Sequence, residues 1–125
     1  MVADKKSAYE LYKKGVGLLE AGDPAQAALV LEQAYSKEPG KASICEALGR
    51  AYFNYGQFGE AQIYFQRVLK IDPSNHYGHF GISLCLERTG DYRKSLGHIK
   101  LATAMSPKNN DYRKAKTRIE KAIAS

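Results

Sequence analysis

The stretch YGQFGEA, residues 55–61, sets Gly56 and Gly59 three apart within an aromatic run. A Gly-x-x-Gly loop can cradle a phosphate, because glycine lets a ligand approach the backbone N–H groups closely. A turn between two helices uses the same letters. The phosphate reading needs a preceding strand and a following Lys-Ser/Thr, whereas Glu60 and Ala61 follow here. The wider pattern decides the matter. Gly22, Gly56 and Gly90 lie 34 residues apart, and so do Pro39, Pro73 and Pro107. Gly56 is the periodic turn glycine, and Gly59 belongs to the first turn of the helix after it.

Three units follow from the period, at 8–41, 42–75 and 76–109, with a tail at 110–125. Each unit reads as two helices. In the first, Ser7 and Glu10 have the spacing of a capping box. The helix stops at Gly22, Asp23 caps its successor, and Pro24 occupies a first position where a missing N–H is harmless. "DPSN" and "SPKN" repeat the outer turn near Pro73 and Pro107. In the tail, Tyr112, Ala115, Ile119 and Ala122 recur at helical spacing, which predicts a helix over about 111–124 lying on the third unit.

The second unit reads Cys45-x2-Leu48-Gly49-x2-Tyr52, then Ala61-x3-Phe65, then Pro73. It resembles a tetratricopeptide repeat (TPR), with Cys45 where tryptophan is usual. The first unit matches through Leu11, Gly15, Leu18, Ala27, Leu31 and Pro39, with Lys14 where leucine is expected. The third offers His79, Ile82, Ser83, Leu86, Ser95, Ile99 and Pro107. The resemblance implies an all-α fold, an α-α superhelix of seven antiparallel helices, in which the first helix of each pair lines a concave face. Lys14 is expected to reach solvent. His79 is expected to be partly buried as a neutral imidazole with one hydrogen bond.

Function is sought on the side of those first helices away from their packing stripe. At about 100° per residue, Tyr9, Tyr12, Val16 and Leu19 cluster opposite Leu11, Gly15 and Leu18. Tyr77, Phe80 and Leu84 do the same in the third unit, and Ser43, Glu46, Arg50 and Phe53 with Asn54 in the second. The candidate peptide-binding groove therefore comprises Tyr9, Tyr12, Val16, Leu19, Glu46, Arg50, Phe53, Asn54, Tyr77, Phe80 and Leu84. Exposed aromatic area of this kind suits binding hot spots. The expected function is a non-enzymatic protein-protein interaction module, an adaptor, scaffold or chaperone-like protein holding a short partner segment with apolar anchors. Self-association through a filled groove is the competing expectation, in a monomer or weak homodimer.

Other classes find less support. TPR domains that grip acidic chaperone tails use Lys, Asn and Arg at positions occupied here by Tyr12, Val16, Ala47, Tyr77 and Gly81. No heat-shock tail is expected to bind. The net charge of +6 sits mostly after Ser106, where Lys108, Arg113, Lys114, Lys116, Arg118 and Lys121 oppose Asp111 and Glu120. Lys114, Arg118 and Lys121 could track phosphates, so nucleic acid is the alternative partner. His76 and His79 lie one helical turn apart, but Cys85 points elsewhere and nothing in the sequence ties His98 to them. No metal, cofactor or catalytic constellation is expected. Cys45 and Cys85 read as buried small hydrophobes. With no apolar run in MVADKKSAYE and none long enough to span a bilayer, a cytoplasmic protein is expected. The capped start and basic end lead us to expect a complete unit.

Overall fold

The computed structural model describes residues 6–125; part of the leader reading falls on residues 1–5, outside that range. Among the described residues there are seven helices and no strand: α1 (Ala8–Glu20), α2 (Pro24–Lys37), α3 (Ala42–Asn54), α4 (Phe58–Ile71), α5 (His76–Arg88), α6 (Tyr92–Met105) and α7 (Asn110–Ala124). None of them is long and apolar enough to cross a membrane.

Local chemistry sets the ends. Ser7 and Glu10 form both halves of the capping box, and Asp23 accepts from the Gln26 N–H. Asn75, Asp91 and Asn109 cap α5, α6 and α7 in the same manner. Gly22, Gly56 and Gly90 are the described residues with positive φ, at 81°, 82° and 87°. They reverse the chain inside each pair, a conformation that costs other residues strain. YGQFGEA is therefore a hairpin turn, and Gly59 sits inside α4.

Consecutive helices pack as antiparallel neighbours. The odd-numbered helices also approach one another closely in succession, α1 on α3, α3 on α5 and α5 on α7, whereas the backbones of α2, α4 and α6 stay apart. A row that is tight on one side and splayed on the other must curve. The odd helices line the inside of that curve and the even ones the outside. Phe65 of α4 shows how closely the row is set. A Cβ added at Gly49 of α3 would come within 2.6 Å of its ring, and one at Gly81 of α5 within 2.4 Å. The aromatic wedge fits because both neighbours lack a side chain.

Ser83 and Ser95 are wholly buried but satisfied, Ser95 Oγ donating to the Ser83 carbonyl at 2.7 Å and Ser83 Oγ to the Phe80 carbonyl at 2.6 Å. Cys45 and Cys85 are free thiols buried in the core, and burial pushes Cys85 up to about 12. Lys14 is exposed, as its place on the outermost helix requires.

Candidate functional site

The concave surface holds a cleft of about 300 Å³ lined by Tyr12, Ser43, Glu46, Ala47, Arg50 and Tyr77. Three successive odd helices contribute, which places the cleft across the middle of the curve. Four of the expected groove residues, Tyr12, Glu46, Arg50 and Tyr77, meet in it. Tyr9 lies beside it, 66% exposed, in a second cleft of about 190 Å³ that shares Tyr12 and Ser43.

Glu46 and Arg50 stand one turn apart on α3, yet no ion pair joins them. Glu46 Oε1 instead accepts from Asn75 Nδ2 at 3.0 Å. Asn75 also accepts the Gly78 N–H at 2.8 Å, so the cap of α5 holds the carboxylate against the next repeat. Arg50 makes no hydrogen bond or ion pair among the described residues. Burial pushes the Tyr77 phenol up to about 12; Arg50 opposes the shift, while Glu46 and Tyr112 add to it. Tyr77 stays a neutral hydrogen-bonding group beside an arginine that has its donors to offer.

The remaining groove residues do not line this cleft. Leu19 is 7% exposed and belongs to the core. Phe53 packs on Phe58 with ring centroids 5.1 Å apart, and the Arg88 guanidinium covers it at 5.2 Å. Phe80 lies 4.6 Å from the ring of Tyr112 on α7. These placements share a cause. A projection of one helix assigns it a single packing side, but each odd helix is covered by an even partner and by the next odd helix as well. Part of the second stripe is consumed there. Val16 is half-buried against the first core cluster, and neither Asn54 nor Leu84 lines the cleft. Sequence reading missed Asn75 as the holder of Glu46, because its turn motif signals only the cap.

His79 and His98 are joined although nothing along the chain ties them. His79 Nδ1 lies 3.1 Å from His98 Nδ1 of α6, and His76 Nδ1 is 2.7 Å from the Tyr112 hydroxyl. Burial and the neighbouring His79 hold His98 below the usual imidazole range. Among the described residues no three His, Cys, Asp or Glu side chains converge as a metal site would require. On α7, Arg118 donates through Nε and Nη2 to the Glu87 carboxylate, the latter bond at 2.7 Å, and Lys116 pairs with Glu120 at 3.0 Å. That engages two of the basic residues within the protein.

The tetratricopeptide-repeat family model matches residues 18–79. Superkiller complex protein 3 of Mus musculus is 26% identical over 93 residues, a region covering 74% of this chain but 6% of the mouse protein. Among solved structures, the first TPR of Spaghetti (RPAP3) bound to HSP90 peptide SRMEEVD is similar with a TM-score of 0.91 at 16% identity, covering 98% of each chain. The Yersinia enterocolitica type III secretion chaperone SycD, in complex with a peptide of the translocator YopD, gives 0.79 at 16% identity, over 93% of this chain and 88% of that one. Identities this low speak for the fold alone. The helix pairs, the recurring positive-φ glycines and the matched residues 18–79 together give the chain the fold of a tetratricopeptide-repeat solenoid.

Proposed function

We propose that this protein is a non-enzymatic interaction module that holds an extended segment of a partner protein across its concave cleft. The observation that carries the reading is the pairing of unlike features there. Tyr12 and Tyr77 supply aromatic walls, while Arg50 lies between them with its guanidinium uncommitted. Aromatic walls favour apolar anchors, and an arginine favours a carboxylate or backbone carbonyl on the same segment. Neighbours of the same fold that hold a peptide, one from HSP90 and one from YopD, support it by analogy.

Affinity capture from a native lysate, run beside the double variant Tyr12→Ala/Arg50→Ala, tests this reading. The variant is expected to lose the captured partner while keeping its helical circular dichroism. Full retention of the partner would contradict it.

The exclusion of acidic chaperone tails gains nothing from the comparisons, since the Spaghetti domain holds such a peptide in this fold. It rests on side chains: Tyr12, Val16, Ala47, Tyr77 and Gly81 carry no cation. We expect no saturable binding of SRMEEVD in a calorimetric titration. Micromolar binding would overturn that expectation and make Arg50 the first residue to examine.

A further inference from the structure

The outside of the curve carries two furrows that stand one repeat apart. The first runs between α2 and α4 over α3, the second between α4 and α6 over α5. Each exists because the backbones of the even helices stand apart. Their backbones correspond residue for residue at the 34-residue offset, but their contents differ.

The first furrow is occupied by its own side chains. Glu32 accepts from the Tyr52 hydroxyl at 3.0 Å and from the Tyr64 hydroxyl at 2.6 Å. The two phenol rings lie parallel, 5.7 Å apart, and Tyr35 meets Tyr64 edge-on at 5.5 Å. The Arg67 guanidinium covers Tyr64 at 4.8 Å and Tyr35 at 5.3 Å.

In the second furrow the positions matching Glu32, Tyr35, Tyr52, Tyr64 and Arg67 hold Gln66, Leu69, Leu86, His98 and Leu101. The carboxylate has become an amide and three phenol rings have become smaller groups. What remains is a cleft of about 420 Å³, larger than the concave one, with Leu69, Ile82 and Leu86 as an apolar floor. That is inside the range of about 300–1,000 Å³ common for ligand sites. Lys70 and Lys94 stand at its rim, and no carboxylate lines it. Lys94 pairs with Asp91 at 3.8 Å, a contact between two exposed groups. His98 turns its Nδ1 to His79.

We propose that the furrow between α4 and α6 is a second docking surface, whose occupant is a partner segment carrying an aromatic side chain beside acidic residues. The aromatic ring supplies what the first furrow contains and the second lacks. The acidic residues complement Lys70 and Lys94, while the amides of Gln62 and Gln66 offer hydrogen bonds to a phenol or a backbone. This surface is made by other residues than the concave cleft, so a scaffold could hold two segments at once.

A blocked synthetic hexapeptide, Glu-Glu-Tyr-Leu-Glu-Glu, is the probe, followed by methyl NMR and fluorescence anisotropy on the intact chain. Saturable binding is expected, with shifts at Leu69, Ile82 and Leu86. Lys70→Glu/Lys94→Glu should weaken it about tenfold, two exposed charge contacts each being worth up to about fivefold. Tyr12→Ala/Arg50→Ala should leave it unchanged, which separates this surface from the concave one. Gln66→Glu/Leu69→Tyr/Leu86→Tyr/His98→Tyr, which transplants the first furrow's carboxylate and phenols, should abolish binding; the two-lysine variant keeps the test sound should that one not fold. Absence of saturable binding overturns the proposal. So does equal binding of the peptide with alanine for tyrosine, which would mean diffuse charge attraction. Loss of binding in Tyr12→Ala/Arg50→Ala would move the site to the concave face, and self-association competed by the peptide would make the occupant a second copy; either overturns it.

Discussion

The two outer furrows share a backbone and differ in what fills them. In the first, a carboxylate, stacked phenols and an arginine lock the first repeat to the second. In the second, leucines and a histidine leave an opening with a basic rim. A helical repeat fixes where furrows occur; substitutions at equivalent positions decide whether one becomes a joint or a surface. Stability is expected to be concentrated where the furrow is full, and the proposed docking surface lies where it is not.

The sharpest way to break that comparison is truncation at the paired positions. Tyr64 is 5% exposed, and Tyr64→Ala removes a stacked ring and a hydrogen bond, so a loss of about 3–5 kcal/mol is expected. His98→Ala in the open furrow should cost less than about 1.5 kcal/mol, since it removes one histidine contact from a half-buried site. Urea unfolding of the two variants checks this, and equal losses would erase the distinction. Next comes Gly81→Ala, which forces a Cβ to within 2.4 Å of the Phe65 ring seated between α3 and α5. Overpacking of this kind costs about 1–3 kcal/mol, again read from the unfolding midpoint.

A smaller effect sharpens the comparison through pH. Burial first, then the bond to Glu32, pushes Tyr52 up to about 12 from its ordinary 10, and Tyr64 is raised for the same reasons. Above pH 10 the unfolded chain loses phenol protons that the folded chain retains. Stability is therefore intact below pH 10 and falls between about 10 and 12. Tyr52→Phe should make that fall shallower while costing about 1 kcal/mol at neutral pH. An unchanged alkaline slope in a pH series of unfolding curves would show that the Glu32 network does not couple to stability. The smallest effect is expected at the rim. Lys70→Glu/Lys94→Glu should change stability by no more than about 0.5 kcal/mol, because both groups are exposed.

The sequence was most informative where a residue type is demanded by backbone conformation. Gly22, Gly56 and Gly90 marked the hairpins because each needs positive φ, and Ser7 with Glu10 marked a helix start because the two side chains serve each other's N–H groups. The lining of the concave cleft was legible in part. Tyr12, Glu46, Arg50 and Tyr77 could be placed from helical phase, whereas Leu19, Phe53 and Phe80 could not. How far each is covered depends on which odd helix lies alongside, a relation between helices that a phase angle along one of them does not contain. The same limit hid the His79–His98 contact and the clasp of Glu32 by Tyr52 and Tyr64, residues 20 and 32 positions away. Overlaying the repeats position by position, beyond the family's signature residues, was the signal that could have exposed the unequal furrows.

The reading of the concave cleft is tested most directly by replacing Tyr12 with a photoreactive benzoyl-phenylalanine and irradiating the protein in native lysate. Mass spectrometry would then locate the adduct. The account predicts one dominant cross-link to a foreign polypeptide, lost when Arg50→Glu is added. A cross-link to the chain itself or to a second copy, or one that survives that charge reversal unchanged, would contradict it.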